Sequence, residues 1–192
     1  MTGFAQPTRG AREITTTAMP LLLFVVLVAS PRAAAAVPPL QTVPSVDLAR
    51  YAGTWYEIAS YPQRFQKGCT GTTATYTVRA DGNVEVLNRC ARDSLNGRVT
   101  VARGRARVVD RGTNAKLKVS FFWPFWADYW IIDLGRDYEY AVVGHPGRKY
   151  LWIPSRTPVM DTAVYEGILE RLRAQGYDTA RLVRTLQASV SG

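Results

Sequence analysis

Between Thr54 and Arg156 apolar and polar residues alternate in short runs separated by turn signals, the period of two that marks strands with one buried face. Ala74, Tyr76 and Val78 alternate with Thr73, Thr75, Thr77 and Arg79, and beyond an Asp81-Gly82 turn Val84, Val86 and Asn88 alternate with Glu85, Leu87 and Arg89. Leu117, Val119 and Phe121 alternate with Lys116, Lys118 and Ser120 in the same way. The runs predict eight strands, at 54–60, 70–78, 83–89, 103–109, 115–122, 128–134, 139–144 and 149–156. Two of them, Tyr129 to Leu134 and Tyr140 to Val143, are apolar on both faces and need cover from outside. After Arg156-Thr157-Pro158, Asp161 is placed to cap a helix with an apolar stripe of Val164, Ile168, Leu169 and Leu172 and a stop at Gly176. A free helix lying on a membrane is the competing reading, and the narrow stripe and the uncovered strands argue against it. The predicted fold class is all-β: an eight-stranded up-and-down antiparallel barrel, wide enough for one small ligand, with one C-terminal α-helix packed on the outside.

The N-terminal segment has a different pattern. Arg9 and Arg12 precede an apolar run, Leu21 to Ala29, and small residues Ala33 to Ala36 follow it, the order of a secretory signal peptide. The run is too short to span a bilayer. Residues 1–36 are expected to be removed, leaving a linker at 37–45. No cysteine follows the run, so a lipid-anchored terminus of the usual thioether kind is not expected. Loss of the leader lowers the basic count from 24 to 21 and the acidic count from 15 to 14, taking the net charge from +9 to +7. That balance favours anionic partners. The basic residues scatter through strands and turns instead of gathering beside stacking aromatics, which argues against nucleic acid and leaves anionic lipid headgroups.

The two cysteines, Cys69 and Cys90, flank the Asp81-Gly82 hairpin. Counting outward from the turn brings them within a few residues of opposite each other, and a bulge would close the offset. In an oxidising compartment such a pair reads as a disulfide. The alternative is a reactive Cys69 thiol, which would need a pKa-lowering environment. His145 is the single histidine, beside Pro146-Gly147 with no serine or cysteine at a meaningful spacing. It reads as a solvated loop residue, and the chain reads as neither metalloprotein nor enzyme. No cofactor is implied.

From about Val46 to Gln187 the chain resembles the lipocalin family, most of all its bacterial members and their apolipoprotein D and plant temperature-induced relatives. Three stretches carry the resemblance: Gly53-Thr54-Trp55-Tyr56-Glu57-Ile58-Ala59, Arg136-Asp137-Tyr138-Glu139-Tyr140-Ala141-Val142, and Tyr150-Leu151-Trp152-Ile153-Pro154-Ser155-Arg156-Thr157-Pro158. The resemblance implies a lipocalin domain over 46–190 and a barrel closed at one end by Trp55 and Arg156. Strand parity agrees, because the end of the eighth strand falls at the same barrel end as the start of the first. A guanidinium over an indole there is worth about 0.5 to 2 kcal/mol.

Alternation from these anchors predicts an inner lining of Glu57, Ala74, Tyr76, Val86, Asn88, Leu117, Val119, Phe121, Tyr129, Ile131, Tyr140, Val142 and Trp152, an apolar cavity with few polar points. The ligand-binding candidates are Glu57, Tyr76, Val86, Asn88, Phe121, Tyr129, Ile131, Tyr140, Trp152 and, from the first long loop, Phe65. At the open end, Trp123, Phe125 and Trp126 form an aromatic tip. It would be covered by folding back as a lid, by an entering acyl chain, by a bilayer, or by a second barrel in a homodimer. Arg64 and Lys67 on the same rim suit a phosphate or carboxylate headgroup. The expected function is storage or transport of a fatty acid or lysophospholipid for membrane maintenance at the bacterial cell envelope, in the periplasm or at the outer-membrane periphery. A lipocalin-type enzyme using Cys69 and a binder of a coloured ligand such as a bilin are the rival readings.

Overall fold

The computed structural model describes residues 1–3 and 37–188. The signal-peptide reading, which rests on residues 4–36, lies outside the described residues. From Gly53 the chain makes eight antiparallel strands: β1 (Gly53–Ser60), β2 (Cys69–Val78), β3 (Val84–Arg92), β4 (Val99–Val108), β5 (Lys116–Phe122), β6 (Phe125–Leu134), β7 (Ala141–Gly144) and β8 (Leu151–Ser155). Each pairs with the next, and β1 closes the barrel by pairing with both β2 and β8. The lower part of β1 faces β2, with Gly53 opposite Tyr76 and Trp55 opposite Ala74. Its upper part faces β8, with Ser60 opposite Trp152. The third and fourth strands are longer than their alternation suggests, running to Arg92 and starting at Val99. Ala91 pairs with Val99 and Cys90 with Thr100, extending the ladder beyond the expected bounds.

A ninth strand, β9 (Val183–Arg184), was not expected. It pairs with Ala59 and Ser60, and the residues after it fill the seam where β1 and β2 part near the mouth. The Thr185 amide donates to Ile58 O at 3.0 Å and the Gly71 amide to Leu186 O at 2.7 Å. Gln187 Nε2 donates to Glu57 O at 2.8 Å and to Thr72 O at 2.9 Å. The tail thus satisfies backbone groups that the parting of the two strands would leave bare.

The helix α2 (Thr162–Ala174) begins where predicted. Asp161 Oδ1 accepts from the Ala163 and Val164 amides at 2.8 and 3.1 Å, and Gly176 beyond its end has φ +80°, the left-handed conformation in which glycine carries no Cβ penalty. Ile168, Leu169 and Leu172 are buried against an outer cluster that includes Ile132, Val142, Leu151 and Ile153, which accounts for strands apolar on both faces. Val164 is 38% exposed and lies off the stripe. Within residues 37–45, the expected linker, two residues touch the barrel. Leu40 is buried in the outer cluster, and the Val43 amide donates to Ile131 O at 3.0 Å. A one-turn helix, α1 (Leu48–Tyr51), follows under the Asp47 cap.

Candidate functional site

The closed end is sealed by Trp55, fully buried, with the Arg156 guanidinium 3.8 Å from its ring centroid. Arg156 also donates to three carbonyls, Nη1 to Thr54 O at 3.0 Å, Nη2 to Arg50 O at 2.6 Å and Nε to Tyr138 O at 3.3 Å. Gly53 is required beside it: its φ is +94°, and a Cβ there would stand 3.3 Å from Arg156 Nη1. Around this plug Val84, Ala106, Ala115, Leu117, Ile131 and Ala141 are all buried in one inner cluster. Ile131, expected in the lining, is therefore fully buried packing near the floor.

Above the floor lies a layer of tyrosines. The Tyr129 hydroxyl stands 2.8 Å from that of Tyr51 and 2.9 Å from that of Tyr76. Burial raises the pKa of all three, Tyr76 to about 12, so the phenols stay protonated across the physiological range. Beside them is a cavity of about 20 Å³, lined by Val86, Val119 and the tyrosines among others, room for about one water-sized sphere. Tyr51 was missing from the sequence reading.

The next layer toward the mouth differs. Ala74, Asn88 and Ala102 face one another across β2, β3 and β4, and Ala127 pairs with Val119 across β5 and β6. Ala102 and Ala127 are exposed although they lie on the inner face, so the upper lumen is open to solvent. Phe121 projects into it from opposite Gly104, where an added Cβ would come within 2.8 Å of the ring. The Asn88 carboxamide Oδ1 is buried without a partner.

Near the mouth, a bulge in β1 between Glu57 and Ala59 turns Ile58 and Ala59 together into the outer cluster and leaves Glu57 and Ser60 on one side, where Ser60 Oγ donates to Glu57 Oε1 at 3.2 Å. Glu57 Oε1 also accepts from Thr185 Oγ1 at 2.6 Å and Oε2 from Gln66 Nε2 at 2.8 Å. Gln66, in a 3₁₀ turn of the first long loop, accepts in turn from Trp152 Nε1 at 3.1 Å. One loop glutamine thus joins two expected lining residues and ties the loop over the rim.

Several expected positions lie elsewhere. Tyr140 and Val142 belong to the outer cluster, and the Tyr140 hydroxyl accepts from Arg171 of α2 at 3.0 Å. Ala141, fully buried in the inner cluster, takes the inward parity instead. Phe65 is 65% exposed on its loop. Trp126 sits with the Arg107 guanidinium 4.5 Å from its ring centroid, on the face opposite inward Ala127. Phe122, Trp123 and Phe125 stand free at the β5–β6 tip, 80%, 79% and 76% exposed. Cys69 and Cys90 are disulfide-bonded with Cα atoms 5.4 Å apart, which leaves Cys69 without the free thiol the enzyme reading needs. The His145 ring accepts from the Gly147 amide at 3.0 Å and meets Tyr150 edge-on. Among the described residues no three His, Cys, Asp or Glu side chains gather to hold a metal.

A closed eight-stranded antiparallel barrel with a sealed floor and a lumen open above it is an architecture that holds a small ligand. Residues 46–187 match the lipocalin-like domain family. The outer membrane lipoprotein Blc of Escherichia coli K12 is 40% identical over 141 residues, covering 73% of this chain and 79% of that protein. Temperature-induced lipocalin-1 of Arabidopsis thaliana is 39% identical over 158 residues, covering 78% and 83%. Among solved structures, insecticyanin of Manduca sexta superposes with a TM-score of 0.65 at 20% identity, covering 81% of this chain and 88% of that one. The chain belongs to the lipocalin family, whose members bind small hydrophobic ligands.

Proposed function

We propose that this lipocalin carries a fatty acid or lysophospholipid at the bacterial cell envelope, holding the acyl chain in the upper lumen. The observation that carries the reading is the solvent-open inner wall at Ala102 and Ala127, above a sealed floor. An acyl chain there lies against Phe121, Trp152 and the tyrosine layer. At about 0.8 kcal/mol per buried methylene, ten groups give a gross term near 8 kcal/mol, the scale of micromolar binding before ordering costs. The rim suits an anionic headgroup, since Arg64, Lys67, Arg98 and Lys149 are all exposed there. The same basic rim beside the bare Phe122, Trp123 and Phe125 tip favours transient contact with an anionic bilayer, where the cargo is loaded or released. The similarity to Blc, named an outer membrane lipoprotein, supports an envelope location.

The test is mass spectrometry of the lipid extract of the purified protein, followed by titration of a fluorescent fatty acid against wild type and Trp152→Ala. Co-purified amphiphile and saturable binding weakened about tenfold or more by Trp152→Ala are expected. An extract without lipid together with no saturable binding would refute the proposal, and a visible absorption band would favour a coloured ligand instead.

A further inference from the structure

The tyrosine layer has one hydrogen more than it has hydrogen bonds. Three hydroxyls in the line Tyr51, Tyr129, Tyr76 carry three hydrogens and make two bonds. Whichever way the line is polarised, one hydrogen is left over. Tyr51 is buried and Tyr76 and Tyr129 are half-buried, all three are protonated, and a donor held away from water without a partner is costly. A second mismatch has the opposite sign. Asn88 follows Val86 by two residues on the same inward face, one step nearer the mouth than the Tyr76–Val86 pair, and its Oδ1 is a buried acceptor with no donor. Two positions along a strand are separated by about 7 Å. A spare donor and an orphan acceptor therefore sit in adjacent layers at the boundary between the packed floor and the open lumen.

We propose that this boundary is a recognition site for an alcohol carried on the buried part of the ligand, its oxygen accepting from the tyrosine line and its hydrogen donated to Asn88 Oδ1. A hydroxyl both accepts and donates. A carbonyl or ether oxygen satisfies only the tyrosines, and a methyl group satisfies neither. A carboxylate is disfavoured at this depth, because the hydroxyl line offers it a single hydrogen and, among the described residues, none that lines the cavity beside the tyrosines is basic. The inference rests on the lipid-carrier reading and refines it: the charged end stays at the basic rim and a neutral hydroxyl goes in. Six residues of β1 lie between Gly53, opposite Tyr76, and Ser60 at the mouth, roughly 20 Å of strand. That depth suits a hydroxyl at the far end of an alkyl chain of medium length.

The experiment displaces a bound fluorescent fatty acid with dodecanoic and hexadecanoic acids, their ω-hydroxy derivatives and the corresponding ω-methyl ethers. The proteins are wild type, Asn88→Leu and the triple variant Tyr51→Phe, Tyr76→Phe, Tyr129→Phe. Wild type is expected to prefer the better-fitting hydroxy acid over its parent by about tenfold or more, with the ether between them, as for a site built to hydrogen-bond a hydroxyl. The preference should collapse in the triple variant and fall to the ether's level in Asn88→Leu. Equal binding of hydroxy and parent acids to wild type overturns the alcohol site and leaves the carrier intact, whereas binding of neither overturns both. The ligand series on wild type decides the matter even where a variant fails to fold.

Discussion

Replacing Arg156 tests how the closed end is held. Its guanidinium makes three carbonyl bonds at 2.6 to 3.3 Å and stacks 3.8 Å from the Trp55 ring centroid. A charge-assisted hydrogen bond contributes about 1.5 to 3 kcal/mol where it is buried, but the bonds to Thr54 O and Arg50 O face solvent, so about 0.5 kcal/mol each is the better figure there. With about 1 kcal/mol for the bond to Tyr138 O and about 1 for the stack, Arg156→Ala should cost about 3 kcal/mol. Arg156→Lys keeps the charge and one bond but loses the fork and the planar stack, and should still cost about 1.5 kcal/mol. Urea unfolding followed by tryptophan fluorescence reads both, with an unchanged slope confirming that only stability has moved. Gly53→Ala adds a cross-check, because part of its cost comes from the Cβ approaching Nη1 at 3.3 Å. That part should vanish in an Arg156→Ala background, while the cost of the positive φ remains. A lysine as stable as the arginine would show that charge alone holds the plug and that the bonding geometry is idle.

Other perturbations reach other parts of the barrel. Gly104→Ala, whose Cβ would lie 2.8 Å from both Phe121 Cδ1 and Ser120 O, should cost about 1 to 3 kcal/mol by overpacking and weaken fatty-acid binding by moving the Phe121 ring; unchanged melting and affinity would contradict this placement. Leu172→Ala, removing a side chain 2% exposed under α2, should cost about 2 to 5 kcal/mol in urea unfolding, against about 1 kcal/mol for loss of the cap in Asp161→Ala. The tyrosine layer makes the fold sensitive to alkali. A folded-state pKa raised above the unfolded value gives stability that is complete below the unfolded pKa and lost as pH rises beyond it. Tyr76, raised from 10.0 to about 12, should account for about 2 to 3 kcal/mol of that loss between those values. A pH series of urea midpoints should therefore fall less steeply above pH 10 in the triple phenylalanine variant than in wild type.

The parts of this fold that were legible in the chain are those with one wet face. Val84, Val86 and Leu117 lie buried within the barrel as their alternation requires, because a slip of one residue would have put Glu85 or Lys118 inside. Where both faces are apolar, that constraint disappears. Alternation puts Tyr140 and Val142 inward, whereas they lie outward. Nothing in the run Tyr140 to Val143 distinguishes a helix-covered face from a lumen face, and the register shift between Ile131 and Asp133 breaks parity counting from Ile131. Ala141 had the one visible clue, a side chain small enough for a crowded floor. Tyr51 escaped notice because one helical turn has no period to detect, although the turn exposes a carbonyl that accepts from Trp55 Nε1 at 2.8 Å. Gln66 and Gln187 are polar residues of a loop and a tail. Only closure of the barrel makes one a link between Glu57 and Trp152 and the other a stitch across the β1–β2 seam.

The lumen divides according to which polar groups are satisfied. Glu57, the inward-facing carboxylate, has three donors on its two oxygens, so it has little capacity left for cargo and acts as a structural tie between loop, strand and tail. The floor below the tyrosines is mostly hydrocarbon and its polar groups are already bonded: the Trp55 indole N–H to a carbonyl, the Arg156 guanidinium to three carbonyls and the Tyr138 hydroxyl to the Asp47 amide. Asn88 Oδ1 at the boundary between these regions lacks a partner, as do Thr72 Oγ1 and the Gln63 carboxamide nearer the mouth, and removing polar groups at the boundary in shape-conserving pairs should leave stability nearly unchanged or raise it. Binding and stability should therefore separate by depth. Truncations at Val84, Leu117 or Ile131 should lower stability with little change in ligand preference, whereas Tyr→Phe and Asn88→Leu changes should alter preference at nearly constant stability, a trade expected where function retains unsatisfied groups in a fold. If the boundary changes instead cost as much stability as the floor truncations, the hydroxyl line is ordinary scaffold and recognition must lie nearer the rim.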